Sequence, residues 1–283
     1  MDRSDYADLV ARALSEDLGD RGDITSSACV PETMKSEAEL VARAPGVIAG
    51  LEVAAYVFET IDPTVRLDRL VEDGDWVLEA EVIARVEGSS RSILAGERTA
   101  LNLLGRMSGV ATATARLVAA VDGTGARITD TRKTMPGLRA LDKYAVRMGG
   151  GVNHRYGLYD AVMIKDNHLV AVGSISEAVV AARAEVGPDV MIVVEVVDLE
   201  QLAEAVATDA DRVLLDNMSP DLLGRAVALV DGRLVTEASG GITADNVRRV
   251  AETGVDLISV GWITHSAPQL DIALDFLSSS AEA

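Results

Sequence analysis

The chain has 283 residues, of which 48 % are hydrophobic, 3 % aromatic and 25 % charged. That is enough apolar material for one large domain or two unequal ones and rules out a disordered polymer, with a core of Ala, Val, Leu and Ile rather than rings. A net charge of −19 argues against nucleic acid and anionic membranes as partners, and no run approaches the roughly 20 apolar residues of a membrane span.

Residues 4 to 18 place Leu9, Val10, Ala13, Leu14 and Leu18 on one stripe, which predicts an amphipathic helix stopped by Gly19. The segment DLGDRGDITS then reads as a turn-rich loop. Glu37 to Arg43 alternates as a strand does, Pro45-Gly46 turns it, and Val47 to Ala49 starts the return. Leu51 to Thr60 is helical in pattern and ends near Pro63. Val65 to Val71, Trp76 to Leu78 and Val82 to Val86 read as short antiparallel strands, so the first 95 or so residues form a small α+β layer with one sheet face to cover. The N-terminus, MDRSDYADLV, is acidic and amphipathic, unlike a signal or transit peptide, and the single Cys29 cannot form an internal disulfide. Both point to a reducing cytoplasm.

Near Gly96 the pattern changes. Leu101, Leu104, Met107 and Val110 recur at helical spacing, with a break expected at Ser108-Gly109. After that, short apolar strands alternate with helices. The strand cores are 127–129, 161–164, 192–196, 212–215, 234–237 and 257–260. The helices between them carry N-cap signals at Ser174 or Ser176, Asp198, Ser219 before Pro220, and Thr243. Such repetition predicts parallel βα units buried on both faces.

Polar residues end these strands: Arg132-Lys133, Lys165, Glu195, Asp216, Ser239-Gly240-Gly241 and Gly261-Trp262. From Lys133 they are spaced by 32, 30, 21, 23 and 22 residues, about one βα unit each. In a β/α barrel, residues distant in sequence meet at the C-terminal mouth, whereas a doubly wound sheet confines its ligand to one switch point. Six such ends favour the barrel; six strands instead of eight make it irregular or completed by other elements.

Residues 127 to 168 gather Arg132, Lys133, His154, Arg155 and Lys165 in an otherwise acidic protein that has only four lysines. A cationic cluster in an anionic chain points to a pocket for an anion; a solvated basic face is the simpler alternative. SGGI and SVGW close the last two strands, where glycines let backbone approach a phosphate. Glu195 and Asp216 interrupt apolar strands. They form a salt bridge within the barrel, to Lys165 or Lys133, or they meet sugar hydroxyls and Mg²⁺. His154 reads equally well as a structural histidine, and Arg155 offers a bidentate fork for a carboxylate or phosphate. No Cys/His cluster supports zinc.

The block TRKTMPGLRALDKYAVRMGGGVNHRYGLYDAVMIKDNH resembles the quinolinate phosphoribosyltransferases. EDLGDRGDIT, AGERTALNLLGRMSGVAT, LLDNM, EASGGI and VGWITHS extend the likeness, in order, over essentially the whole chain. The resemblance implies an α/β protein: an N-terminal α+β sandwich domain at residues 1–96, then an irregular parallel β/α barrel at 97–283, with a C-terminal helix able to pack back on the first domain. It implies conversion of quinolinate and phosphoribosyl pyrophosphate to nicotinate mononucleotide, pyrophosphate and CO₂ with Mg²⁺, in a homodimer or a multiple of dimers. Carried over by position, Arg98, Arg132, Lys133, His154, Arg155 and Lys165 line the dicarboxylate site, with Arg98 supplied by a neighbouring subunit. Glu195 and Asp216 serve the ribose and the metal, Ser239, Gly240, Gly241 and Gly261 hold the 5′-phosphate, and Thr131, Val260 and Trp262 join the substrate-binding residues. With the two carboxylates, Lys133 and Lys165 are the catalytic candidates. Two departures stand out: Val193 replaces a carboxylate usual in the family, and Trp262 replaces a smaller residue. A Schiff-base lyase using Lys165, and a paralogue of altered ligand tied to molybdenum transport, are the rival readings.

The acidity, with 22 Arg against four Lys, also points to a high-salt cytoplasm, where ions screen the self-repulsion of the chain. The melting temperature is therefore expected to rise from dilute buffer to molar KCl. A flat or falling trend in a thermal scan would dispose of the high-salt idea.

Overall fold

The computed structural model describes residues 1–277. In chain order the elements are α1 (Ala7–Leu18), α2 (Ile24–Cys29), β1 (Lys35–Ala42), β2 (Gly46–Val47), α3 (Leu51–Ile61), β3 (Arg66–Arg69), β4 (Trp76–Val77), β5 (Val82–Ser89) and α4 (Ser90–Ala120). There follow β6 (Arg127–Thr129), α5 (Arg139–Met148), β7 (Val162–Ile164), α6 (Asp166–Val172), α7 (Ile175–Val186), β8 (Ile192–Val196), α8 (Leu199–Val206) and β9 (Arg212–Asp216). The chain continues through α9 (Pro220–Val230), β10 (Val235–Ser239), α10 (Val247–Ala251), β11 (Leu257–Ser259), α11 (Trp262–His265) and β12 (Ile272–Phe276). They form two compact units. One comprises Met1–Ala115, Met135–Gly150 and the chain from Ser266; the other comprises Arg116–Thr134 and Gly151–His265.

The first unit is built on an antiparallel sheet of order β12-β1-β5-β3. Leu40 of β1 lies opposite Leu274 on one side and Ala84 on the other. Ala38, Leu40, Ile83, Ala84 and Val86 are fully buried, as are Val53, Val57 and Ile93 from α3 and α4. At about 25 cal/mol per Å² of apolar surface, such burial is the main term holding the layer together.

Four local expectations give way here. Part of the predicted loop is helix α2, because the Asp23 carboxylate accepts from the Thr25 and Ser26 amides and caps a helix too short to show periodicity. The expected break at Ser108-Gly109 is absent and α4 runs through. Ser108 Oγ accepts from Ala49 N at 3.0 Å, and a Cβ on Gly109 would lie 2.1 Å from Pro268 O. The pair is small because other backbone crosses the helix there, not because the helix stops. In place of a C-terminal helix, Ile272–Phe276 is a strand of the N-terminal sheet, reached across α4 through Leu270 N to Gly105 O at 2.9 Å. Residues 278–283, the end of the expected second domain, lie outside the described residues. Finally, Met135–Gly150, from the middle of the cationic block, packs into this unit. Asp142 there is fully buried, bonded by Arg106 Nη2 at 2.8 and 2.9 Å, and Lys143 is fully buried too.

The second unit holds six parallel strands in the order β6-β11-β10-β9-β8-β7. Val193, Val194, Val213, Leu215 and Ile258 are fully buried, the mark of strands covered on both faces. The caps form at Ser174 (from Glu177 N, 3.1 Å), Asp198 (from Gln201 N, 2.8 Å) and Ser219 (from Leu222 N, 3.3 Å). Thr243 does not cap a helix. Its amide donates to Asn246 Oδ1 at 2.8 Å in a turn, and α10 starts only at Val247. The edge strand β6 is extended by a parallel bridge between Thr129 and Val152. One cavity is lined by residues following or ending every strand from β6 to β7, so the sheet curls into an irregular barrel.

Candidate active site

After β6, Asp130 is fully buried and accepts from Asn153 Nδ2 at 2.6 Å and His154 N at 2.8 Å. It pins the loop carrying His154 and Arg155 to the strand end that carries Arg132 and Lys133. Thr131 Oγ1 accepts from Lys133 N at 2.9 Å and shapes the turn. The ring of His154 is buried, and its Nδ1 accepts from Arg155 N at 2.7 Å. Its hydrogen therefore sits on Nε2, 3.4 Å from Glu237 Oε1. Glu237, on β10, is fully buried, and its Oε2 accepts from Arg212 Nη1 at 3.0 Å. Burial alone would raise the Glu237 carboxyl, but His154, Arg212 and Ser259 together outweigh it and hold it below the ordinary value.

Arg155 Nη1 donates to the neutral carbonyl of Ala161 at 2.9 Å. Burial, and then the charge of Arg132, lower its pKa, while Asp160 opposes. The half-buried Arg155 and the exposed Arg132 disfavour one another, and an anion near both relieves them. Lys165, just past β7, forms an ion pair with Glu195 near the end of β8. Its amide donates to His168 Nδ1 at 3.0 Å, which places it at the start of α6. Asp216 ends β9 and accepts from Asn217 Nδ2 at 2.8 Å.

Thr131, Arg132, Lys133, His154, Arg155, Lys165, Glu195 and Asp216 line a cavity of about 420 Å³, together with Met163, Leu214, Asn217, Glu237, Ser239 and Ser259. A smaller cavity, about 230 Å³, is lined by Gly240, Gly241, Ile242, Thr243, Val260, Gly261, Trp262 and His265. Thr131, Lys133, Ser239 and Ser259 belong to both walls, so the two spaces adjoin. A Cβ on Gly261 would lie 2.9 Å from Lys133 Cδ. Glycine at that position lets the lysine stem lie against the β11 turn.

Of the residues singled out in the sequence, Thr131, Arg132, Lys133, His154, Arg155, Lys165, Glu195, Asp216 and Ser239 line the larger cavity. Gly240, Gly241, Val260, Gly261 and Trp262 line the smaller one. Arg98 lines neither. It belongs to the first unit, its side chain is 65 % exposed, and it lies 3.9 Å from the carboxylate of its neighbour Glu97. Glu195 does form the salt bridge to Lys165 that the sequence allowed. Asp130 and Glu237 are not singled out by the sequence, and Ser259 figures there only as the first residue of SVGW. Glu237 carried the same signal as Glu195, a carboxylate in an apolar strand, and Asp130 directly follows one. Among the described residues no cluster of three or more His, Cys, Asp or Glu side chains could hold a metal, and no helix is long and apolar enough to cross a membrane.

Comparison with known proteins agrees with this geometry. Residues 23–108 match the sequence model of the quinolinate phosphoribosyl transferase N-terminal domain, and residues 110–275 that of the C-terminal domain. The chain is 47 % identical over 273 residues to nicotinate-nucleotide pyrophosphorylase (carboxylating) of Mycobacterium leprae, covering 95 % of this chain and 96 % of that protein. It is 46 % identical over 260 residues to the probable nicotinate-nucleotide pyrophosphorylase (carboxylating) of Bacillus subtilis, covering 92 % and 89 %. The crystal structure of NadC from Streptococcus pyogenes superposes with a TM-score of 0.94 at 39 % identity, over 98 % of this chain and 99 % of that one. With both domain models matched in order and identities this high over nearly the full length, the chain belongs to the quinolinate phosphoribosyltransferase family.

Proposed function

We propose that the protein transfers the phosphoribosyl group of phosphoribosyl pyrophosphate to quinolinate and releases pyrophosphate and CO₂, giving nicotinate mononucleotide for NAD biosynthesis. The observation that carries this reading is the pair of adjoining cavities. The larger, with Arg132, Lys133, Arg155 and Lys165, suits a dicarboxylate, and the smaller, glycine-walled one suits a phosphate. Lys133 reaches both, where the two substrates must meet.

The pyridine nitrogen attacks C1 of the ribose as the C1–O bond to pyrophosphate breaks, through a state with oxocarbenium character. Asp216 and Glu195 face that charge and the ribose hydroxyls. The new bond leaves a positive ring nitrogen. When the bond from C2 to its carboxylate breaks, the electron pair stays on C2 beside that charge, CO₂ departs, and C2 takes up a proton. Lys133 and Lys165 hold the carboxylate where this can occur. An imine-forming lysine must offer a neutral amine, whereas Lys165 is placed as the cation of an ion pair.

Glu195 and Asp216, two carboxylates from adjacent strands, fit a Mg²⁺ ion held by one or two carboxylates, water and substrate phosphate rather than by a protein cage. When bound, Mg²⁺ supplies charge neutralisation to the leaving pyrophosphate. A dimer, or a multiple of dimers, in which Arg98 of each chain completes the dicarboxylate site of another belongs to the same reading, as does action in the cytoplasm.

Incubation with quinolinate, phosphoribosyl pyrophosphate and Mg²⁺ should yield nicotinate mononucleotide by chromatography, and its absence would sink the assignment. Nicotinate in place of quinolinate is expected to react poorly, since it lacks the second carboxylate and leaves site cations uncompensated. Comparable turnover of the two acids would contradict a dicarboxylate site.

A further inference from the structure

The smaller cavity has one wall that is soft by composition. Gly240 and Gly241 follow one another at φ +92° and +61°, and a Cβ on Gly240 would lie 2.1 Å from Asn217 Oδ1. Consecutive glycines in this region of backbone space have many conformations open to them, so whatever ties them down sets the shape of the wall. Two side chains do so. Asn246 Nδ2 donates to Gly241 O at 2.8 Å, from within the same loop. Trp262 Nε1 donates to Ile242 O at 3.1 Å, from the opposite wall.

The indole offers a single donor, and it is spent on this carbonyl. Trp262 directly follows Gly261 and opens α11, so its bond joins the loop after β10 to the loop after β11. Both loops line the same 230 Å³ space. We propose that Trp262 is a positioning residue for the phosphate end of the ribosyl substrate: its indole holds the Gly240–Ile242 backbone at a fixed distance from the Val260–Gly261 backbone. The inference rests on the phosphoribosyl reading of this cavity. It assigns to Trp262 affinity for one substrate and none for the other, because the residue lies outside the larger cavity.

Trp262→Phe keeps an aromatic ring and removes only the donor. Without this bond, ligand binding must itself order the loop, and a hydrogen bond of ordinary strength corresponds to roughly a 2- to 10-fold weakening. The KM for phosphoribosyl pyrophosphate is therefore expected to rise about that much, with the KM for quinolinate within two-fold of wild type and kcat little changed. Calorimetric titration with ribose 5-phosphate should show the same weakening without any turnover. An unchanged KM for phosphoribosyl pyrophosphate, or an equal rise for both substrates, would overturn the proposal. A second readout needs no variant at this site. Trp76 lies in the other unit and is the only other tryptophan, so Trp76→Phe leaves Trp262 as the sole indole reporter. Its emission should shift on titration with ribose 5-phosphate; no change at saturating ligand would also count against the proposal. Wild-type protein inactive with quinolinate and phosphoribosyl pyrophosphate would instead sink the functional reading beneath it.

Discussion

Replacing Lys165 by Ala is expected to lower turnover by at least ~10²-fold, the scale of losing a positioned charge from a partly desolvated site. The substitution does two things. It removes an ammonium from the wall of the larger cavity, and it leaves the Glu195 carboxylate, its ion-pair partner, facing an anionic substrate without compensation. Lys133→Ala should have an effect of similar size for a different reason, since that side chain borders both cavities and both substrates would lose it. Folding is expected to survive: Lys165 is only half-buried, and a pair of this exposure adds about 0–1 kcal/mol to stability. Steady-state kinetics beside a thermal melt decides the matter. A variant that melts normally and keeps more than half its activity would remove its residue from the site.

Arg98→Ala is expected to be nearly inactive as well, and its partnership with Lys165 can be tested by mixing. If Arg98 of one chain completes the site of another, a two-fold dimer of one Arg98→Ala chain and one Lys165→Ala chain has one doubly damaged site and one native site. Random reassortment makes about half the dimers hybrids, so roughly a quarter of wild-type activity should return. The exposed Arg98 side chain, whose nearest carboxylate is that of adjacent Glu97, is compatible with such a role. If both residues served one chain's own site, every site in the mixture would stay damaged. No recovery after demonstrated subunit exchange would therefore place Arg98 in its own chain's site or outside any.

The barrel strands and their chemistry were legible in the sequence because both obey local rules. A strand buried on both faces must be a short apolar run, so Ile192–Val196 and Arg212–Asp216 show themselves, and the carboxylates Glu195 and Asp216 stand out against them. Ser174, Asp198 and Ser219 mark helix starts because an N-cap bond spans only three residues. The cations of the site were legible as well, since lysine is rare in this chain and two of the four lie beside strand ends.

What the tertiary structure decided is everything that depends on partners far away in the chain. The alternation of Ile272–Phe276 cannot announce a strand until β1 is beside it, more than two hundred residues earlier. Ser108-Gly109 looks like a helix stop until the backbone at Pro268 is seen to need the missing Cβ. The cationic block reads as one piece, yet Asp142 and Lys143 are buried in the first unit while Arg132, Lys133, His154 and Arg155 meet in the second. Asp130 follows an apolar strand and Glu237 interrupts one, but nothing local says what either holds. Only three-dimensional placement shows that one anchors the loop of His154 and Arg155, and that the other sits under the His154 ring with Arg212 on its far oxygen. Composition and spacing report the groups a chain offers to a site. Which of them a buried carboxylate will hold in place is set by distances of about 3 Å between residues that share no local pattern.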